Sequence, residues 1–132
     1  MKNIINFINE SSNELKMSLG EVNINVIEIS FTNDDLDIDL KSCDDEEIDD
    51  AVNSSEGTYI INFKIENYGE FNASIELNYD DVNIDLSDSH FKNGNYTFWN
   101  KSLNIVCDKY IGGLDGFGWS EDLLKELKRK VK

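Results

Sequence analysis

Four carboxylates in the first half of the chain have the spacing of a calcium-binding loop. Asp35, Asp37, Asp39 and Glu46 stand at positions 1, 3, 5 and 12 of the loop template of EF-hand proteins. That loop needs glycine at its sixth position to turn around the ion, and this sequence has Leu40 there. The alternation of aliphatic residues with Asp predicts instead a half-buried β-strand with a carboxylate face. We therefore expect no calcium site, and interpret this face as either solvated or used by a partner.

The thiols and the imidazole do not suggest a reactive site. Two cysteines and one histidine are too few for a zinc site, which takes four such ligands or three with a water molecule. Cys43 precedes four acids, residues 44–47, which should raise the pKa of its thiol and make it a poor nucleophile. Cys107 lies in an apolar run and is expected in the core, and a disulfide between the two remains open. His90 has Ser and Asp neighbours, but adjacent residues do not make a catalytic triad. The sequence predicts no catalytic residue, metal or cofactor.

A glycine-rich segment from Ile111 to Trp119, IGGLDGFGW, precedes the last predicted helix and could in principle cradle a phosphate. Its glycines have neither the P-loop spacing nor the dinucleotide-binding spacing, and Asp115 would repel a phosphate. We interpret it as a tight loop that packs Phe117 and Trp119 against a sheet. Trp99 and Trp119 are either core residues or interface hot spots, a choice that the sequence leaves open.

The net charge indicates the kind of partner. The chain has 27 acidic and 12 basic residues, a net charge of −15, which argues against binding to nucleic acid or to an anionic membrane and favours a basic partner. The last twelve residues hold five bases and three acids, so residues 1–120 sum to −17. Residues 34–50 hold ten acids and one base, a sum of −9. These ten acids, our candidate partner-binding residues, are Asp34, Asp35, Asp37, Asp39, Asp44, Asp45, Glu46, Glu47, Asp49 and Asp50.

The length of the chain and its apolar runs predict its domain organisation, its first helix and its compartment. A chain of 132 residues without proline or a linker-like run fits one domain, residues 1–132. Ile4, Ile8, Leu15 and Leu19 share one helical face and predict an N-terminal helix. No apolar run has the length of a signal-peptide core or a membrane span. We therefore expect a cytoplasmic protein with reduced thiols.

Alternating apolar residues predict the strands. Within residues 21–32 the apolar residues change from even-numbered to odd-numbered positions, which indicates a strand buried on both faces or bent midway. Runs over 59–65 and 71–79 flank the turn Glu66–Gly69 and predict a β-hairpin. A third strand is expected over 82–86. Period-two alternation also predicts the short strand at residues 36–40.

The last third of the chain completes the predicted fold. We expect β-structure over 96–99 and 103–110, after a turn at residues 92–95. Ser120, followed by acids and then by bases, predicts a terminal helix. The predicted fold class is α+β, an antiparallel sheet of five to seven strands with an N-terminal and a C-terminal helix.

Together these features resemble the acidic immunity proteins of bacterial polymorphic toxin and contact-dependent growth inhibition systems. The resemblance is carried by the acidic runs DDLDIDL (34–40), DDEEIDD (44–50) and NYDDVNIDLSD (78–88), and by a composition rich in Asn, Ile and Lys. It implies a cytoplasmic antitoxin without enzymatic activity, monomeric before complex formation. Such a protein binds a basic toxin domain, often a nuclease, and blocks its active site or an adjacent exosite.

Strand parity and charge together predict the binding surface. Asp35, Asp37 and Asp39 would point to one side of their strand about 6.5 to 7 Å apart and, with the acids of residues 44–50, would attract a basic toxin. An exposed aromatic residue, Trp99 or Phe117, would provide the apolar anchor. The alternative is a nucleic-acid mimic that inhibits host DNA- or RNA-binding proteins, and such a mimic would bind many basic proteins where an immunity protein binds one.

Overall fold

The computed structural model describes residues 14–16, 23–87, 96–112 and 119–130, the first of these segments by its backbone alone. The six strands in this part of the chain form one antiparallel sheet. They are β1 (Glu14–Lys16), β2 (Asn23–Thr32), β3 (Asp37–Asp39), β4 (Glu56–Ile65), β5 (Gly69–Asn78) and β6 (Asp81–Leu86). The helices in the same segments are α1 (Asp45–Val52), α2 (Tyr96–Ile111) and α3 (Ser120–Lys130). The predicted α+β class is confirmed.

The sheet has the strand order β1-β2-β4-β5-β6, and β3 also pairs with β2. The start of β2 pairs with β1 and its end with β3, while β4 pairs with nearly its full length. The predicted N-terminal helix falls mostly outside the described residues. Where the two overlap, the prediction is wrong, because Leu15 pairs with Ile24 in the sheet.

A β-bulge explains the parity change in β2. The register with β4 passes from Val26 opposite Phe63 to Glu28 opposite Asn62, so that Ile27 is the extra residue. The bulge returns the aliphatic residues on both sides of it to the same face, since Ile24, Val26, Ile29 and Phe31 are all buried. Of the two predicted alternatives, the bent strand is the one that forms.

The predicted hairpin forms between β4 and β5, and β6 follows as predicted. Asn67 has a φ of 71° and Gly69 a φ of 129° at the first turn, the left-handed region that these residue types tolerate. The second turn contains only Tyr79 and Asp80 between β5 and β6.

The strands predicted over 96–99 and 103–110 are wrong, because this segment forms α2. The buried residues recur in pairs three to four positions apart, which is the spacing of one helical face. They are Phe98, Trp99, Ser102, Leu103, Val106, Cys107, Tyr110 and Ile111. Ser102 fits on this face because its hydroxyl donates to the carbonyl oxygen of Phe98 at 2.8 Å. The predicted C-terminal helix is confirmed as α3.

The core lies between one face of the sheet and the helices. Trp99 of α2 lies 6.3 Å from the rings of both Phe63 and Phe71, and Trp119, next to α3, lies 5.0 Å from Tyr59. The Tyr59 hydroxyl donates to the carbonyl oxygen of Ala51 in α1 at 3.1 Å. All three described helices therefore pack on the same side of the sheet, which we call the core face. None of the helices in the described segments has the length and apolar character needed to span a bilayer.

Candidate partner-binding surface

The opposite side of the sheet, which we call the outer face, is formed by the side chains of β2 to β6 that alternate with the core residues. No helix in the described part of the chain packs on it. Short polar side chains cover its centre: Ser30, Thr58, Asn62, Asn72 and Ser74, all half-buried. Ile60 lies among them, opposite Ser30 on one neighbouring strand and Ser74 on the other. The centre of the outer face is therefore mainly polar.

Carboxylates outnumber bases on the outer face. Strand register places eight acids and one base, Lys64, there. The acids are Glu28, Asp37, Asp39, Glu56, Glu70, Glu76, Asp81 and Asp85. Glu28 is held in place by a hydrogen bond from the Asn62 amide nitrogen at 2.9 Å. Apart from the two aspartates of β3, the sequence analysis did not single out these acids as site residues.

A concave pocket of about 220 Å³ lies at one end of the outer face. Its wall includes three acids, Asp34, Glu56 and Glu76, and the side chains of Asn33 and Thr58. Asn33 fixes the β2–β3 turn against β4, because its amide nitrogen donates to the carbonyl oxygen of Glu56 at 3.0 Å. Its side-chain oxygen accepts from two backbone N–H groups of the same turn, at 2.7 Å each. The pocket is thus built from the β2–β3 turn, which Asn33 holds in place, and from the adjoining ends of β2, β4 and β5.

Gly57 lines this pocket at a position that has no room for a side chain. Its φ of +147° lies in the region that side chains rarely adopt, and an added Cβ would lie 2.3 Å from Cζ of Phe31. The Phe31 ring can therefore pack directly against the backbone of β4. This close approach lets a buried aromatic residue support the pocket from the core face.

The acids of β3 lie where strand parity predicted. Ile38 and Leu40 are buried, while Asp37 and Asp39 are exposed on the outer face. Asp39 also ends the strand, because its carboxylate accepts from the backbone N–H of Lys41 at 3.1 Å and from the Ser42 hydroxyl at 3.2 Å. Asp35 lies in the preceding turn rather than in the strand. A row of three evenly spaced carboxylates does not form.

The acids of residues 44–50 are placed on the other side of the sheet, because α1 packs on the core face. Asp44 and Glu47 form a capping box: the Asp44 carboxylate accepts from the Glu47 N–H at 2.9 Å, and Glu47 accepts from the Asp44 N–H at 3.2 Å. Asp45 and Glu46 stand in the first turn, where the helix dipole favours acids. The candidate acids therefore flank the β3 edge from two sides instead of forming one surface.

Lys41, the single base in residues 34–50, is bound to the bulge of β2. Its ammonium group donates to the carbonyl oxygen of Val26 at 2.9 Å. Next to it, the Leu40 N–H donates to the carbonyl oxygen of Ile29 at 2.9 Å. These two bonds satisfy carbonyl groups on the edge of β2 between its contacts with β1 and β3.

The two cysteines are free thiols. Burial is the largest cause that raises the pKa of Cys43 above its usual value, and the nearby carboxylates of Glu47, Asp44 and Asp39 raise it further. Complete burial raises the pKa of Cys107 more strongly. Both thiols are therefore poor nucleophiles, in agreement with the sequence prediction for Cys43. Within the described residues, no group of acids, Cys and His is arranged to hold a metal ion.

The aromatic anchor differs from the one predicted. Trp99 is 0% exposed, so the prediction that it contacts a partner is wrong: its helical position points it into the core. Phe117 and His90 lie outside the described residues. Among the aromatic residues that the structure describes, the exposed one is Tyr79, which is 68% exposed and has a φ of 57°. A bulky residue in this region is an outlier, because turns of two residues normally place Gly or Asn there.

Searches of protein-family models, curated proteins and solved structures find no match to this chain.

Proposed function

We propose that this protein is an immunity protein that binds and neutralises a basic toxin domain, such as a nuclease, inside the cell that makes it. The observation that supports the proposal is the outer face of the sheet, where eight carboxylates and one lysine surround short polar side chains. A cationic protein surface would find complementary charge there, and the field would speed encounter with it. In this proposal the chain has no catalytic role and blocks the active site or an exosite of the toxin.

The test is affinity capture with the immobilised chain from a lysate of the organism that encodes it. The expected result is that one basic protein is retained at physiological salt. Expression of that protein alone should arrest growth, and co-expression of the chain should restore it. Retention of many unrelated basic proteins would favour the nucleic-acid mimic, since a mimic recognises charge common to all of them. Retention of none would contradict both functions.

The aspartates near β3 provide a quantitative test with the captured protein. Replacing Asp35, Asp37 and Asp39 with Asn should slow association roughly tenfold at low salt, because steering by charge acts on the association rate. The rate should also depend less on salt. An unchanged rate and salt dependence would show that these aspartates are a solvated surface.

A further inference from the structure

The outer face carries an acid at each end of a row of paired residues that crosses the sheet. One row of paired residues crosses five strands in the order Asp39, Ser30, Ile60, Ser74 and Asp85. Its two carboxylates lie about 19 Å apart, since neighbouring strands are separated by about 4.8 Å. Between them stand two hydroxyls and one aliphatic side chain. A partner segment lying in this row would contact apolar surface in the middle and acids at both ends.

The pocket lies at the end of the outer face where β4 begins and β5 ends, and its charge suits a cationic side chain. Three of its lining residues are acids, Asp34, Glu56 and Glu76, and Asn33 and Thr58 are polar lining residues. Its volume of about 220 Å³ accommodates a guanidinium or ammonium group. A planar guanidinium can bind two carboxylate oxygens at once, which favours arginine.

Tyr79 is an exposed aromatic residue next in sequence to the pocket. It follows Asn78, which lines the pocket, and its N–H donates to the carbonyl oxygen of Ser55 at 2.8 Å, so the turn is fixed next to the start of β4. Tyrosine is among the residues that dominate binding energy at protein interfaces. A cation near its ring would also gain from the ring quadrupole.

We infer that the outer face, and not the side that carries α1, is the docking surface for a basic protein, with one of that protein's arginine or lysine side chains in the pocket and Tyr79 in contact beside it. The inference rests on the proposed function for the class of partner and goes beyond it in assigning one cationic side chain to the pocket and a contact to Tyr79. The acids of α1 fit this role less well, since Asp44 and Glu47 are already bound to each other in the capping box.

The probe is a synthetic peptide of alternating arginine and serine, titrated into the isotope-labelled chain by NMR. The largest amide shifts should fall at Thr32, Thr58 and Glu76. The paired replacement of Glu56→Gln and Glu76→Gln should weaken binding roughly tenfold, since two opposite-charge contacts are lost. The matched control, Glu46→Gln with Asp49→Asn, removes the same charge from α1 and should change affinity by less than about twofold. Shifts centred on α1, or equal losses in both pairs, would overturn the inference.

Tyr79→Gly separates binding from folding. Glycine relieves the positive φ, so the variant should be at least as stable as the parent chain, whereas peptide affinity should fall roughly threefold. Higher stability with unchanged peptide affinity would show that Tyr79 does not contribute to the docking surface.

A second copy of the chain is the alternative occupant of the outer face. Sedimentation of the parent chain should show a monomer, and a dimer that Ser74→Arg dissociates would overturn the inference. Failure of the proposed function would appear separately, as a parent chain that retains no single basic protein from the lysate. The peptide titration tests the docking surface independently of the capture experiment.

Discussion

Tyr59 contacts a neighbouring strand and connects the sheet to the helical layer at two points. Its ring lies 4.6 Å from Phe31 and 5.0 Å from Trp119, and its hydroxyl donates to the carbonyl oxygen of Ala51. Burial raises the pKa of this phenol well above its ordinary value of 10.0. A single side chain thus links β2, α1 and the start of α3 to β4.

Tyr59→Phe should lower the free energy of unfolding by about 1 kcal/mol at neutral pH, because the Ala51 carbonyl loses its donor. In the parent chain the unfolded state releases the phenol proton first as pH rises through 10.0, so stability present at neutral pH is lost above that value. The variant should lose stability less steeply there. Urea denaturation at neutral and alkaline pH measures both effects, and parallel alkaline losses in the two proteins would contradict the second.

At the scale of elements, the bulge in β2 decides which residues reach the core. Ile27 is 48% exposed and stands between two runs of core residues. Without this extra residue the strand would alternate regularly, and the core set would be unchanged. A residue lost elsewhere in the strand would instead exchange the two faces.

Deletion of Ile27 should therefore be tolerated, whereas deletion of Ser30 should abolish folding by moving Phe31 to the outer face. We expect the first variant to unfold cooperatively, with a loss of a few kcal/mol from the altered twist and the contact of Lys41 with the bulge. The second should show no cooperative transition. Circular dichroism during thermal unfolding distinguishes them, and similar melting curves for both deletions would show that the bulge does not set the register.

The capping box of α1 predicts opposite effects of two acidic positions. Asp44→Ala removes a side-chain acceptor at the N-terminus and should cost about 1 kcal/mol. Asp50→Asn removes an anion from the second half of the helix, where the dipole disfavours it, and should gain a few tenths of a kcal/mol. Chemical denaturation measures both changes. Equal effects of the two substitutions would mean that net charge, not position in the helix, determines stability here.

The sequence was sufficient to predict the elements whose signal lies within a few neighbouring residues. The β4–β5 hairpin follows from strict alternation around a turn with Asn and Gly, and the parity of β3 follows from three aliphatic residues. The prediction for the segment of α2 is wrong because Leu103, Ile105 and Cys107 also alternate with period two. The paired spacing of buried residues from Phe98 to Ile111 carries the helical signal.

The candidate surface was predictable only in part. Asp37 and Asp39 follow from strand parity, but the outer-face acids of β4 and β5 become a surface only through the pairing of distant strands. The role of Tyr79 could not be predicted, because its exposure and positive φ depend on the two-residue connection to β6. Trp99 is not exposed because it lies on the buried side of α2, a helix that the sequence analysis did not predict.

On the scale of the whole molecule, the net charge of −15 should make stability depend on salt. Repulsion among acids on both sides of the sheet opposes the compact state, and ions screen it. The midpoint of thermal unfolding should rise modestly with added sodium chloride and then level off. A calcium salt at equal ionic strength should give the same rise, and a much larger one would indicate a specific calcium site. A midpoint that falls as salt is added would contradict the role assigned to repulsion.

The separation of the two faces also affects how this protein can diverge. Along β4 and β5, each residue that packs in the core is followed by one that touches only the outer face. Substitutions at exposed outer positions such as Lys64 or Glu76 should change the free energy of unfolding little, because exposed sites away from special features are usually nearly neutral. Mutations can therefore alter recognition at every second residue while the fold persists. In the proposed role, such changes would let the surface follow a changing partner without passing through unstable intermediates.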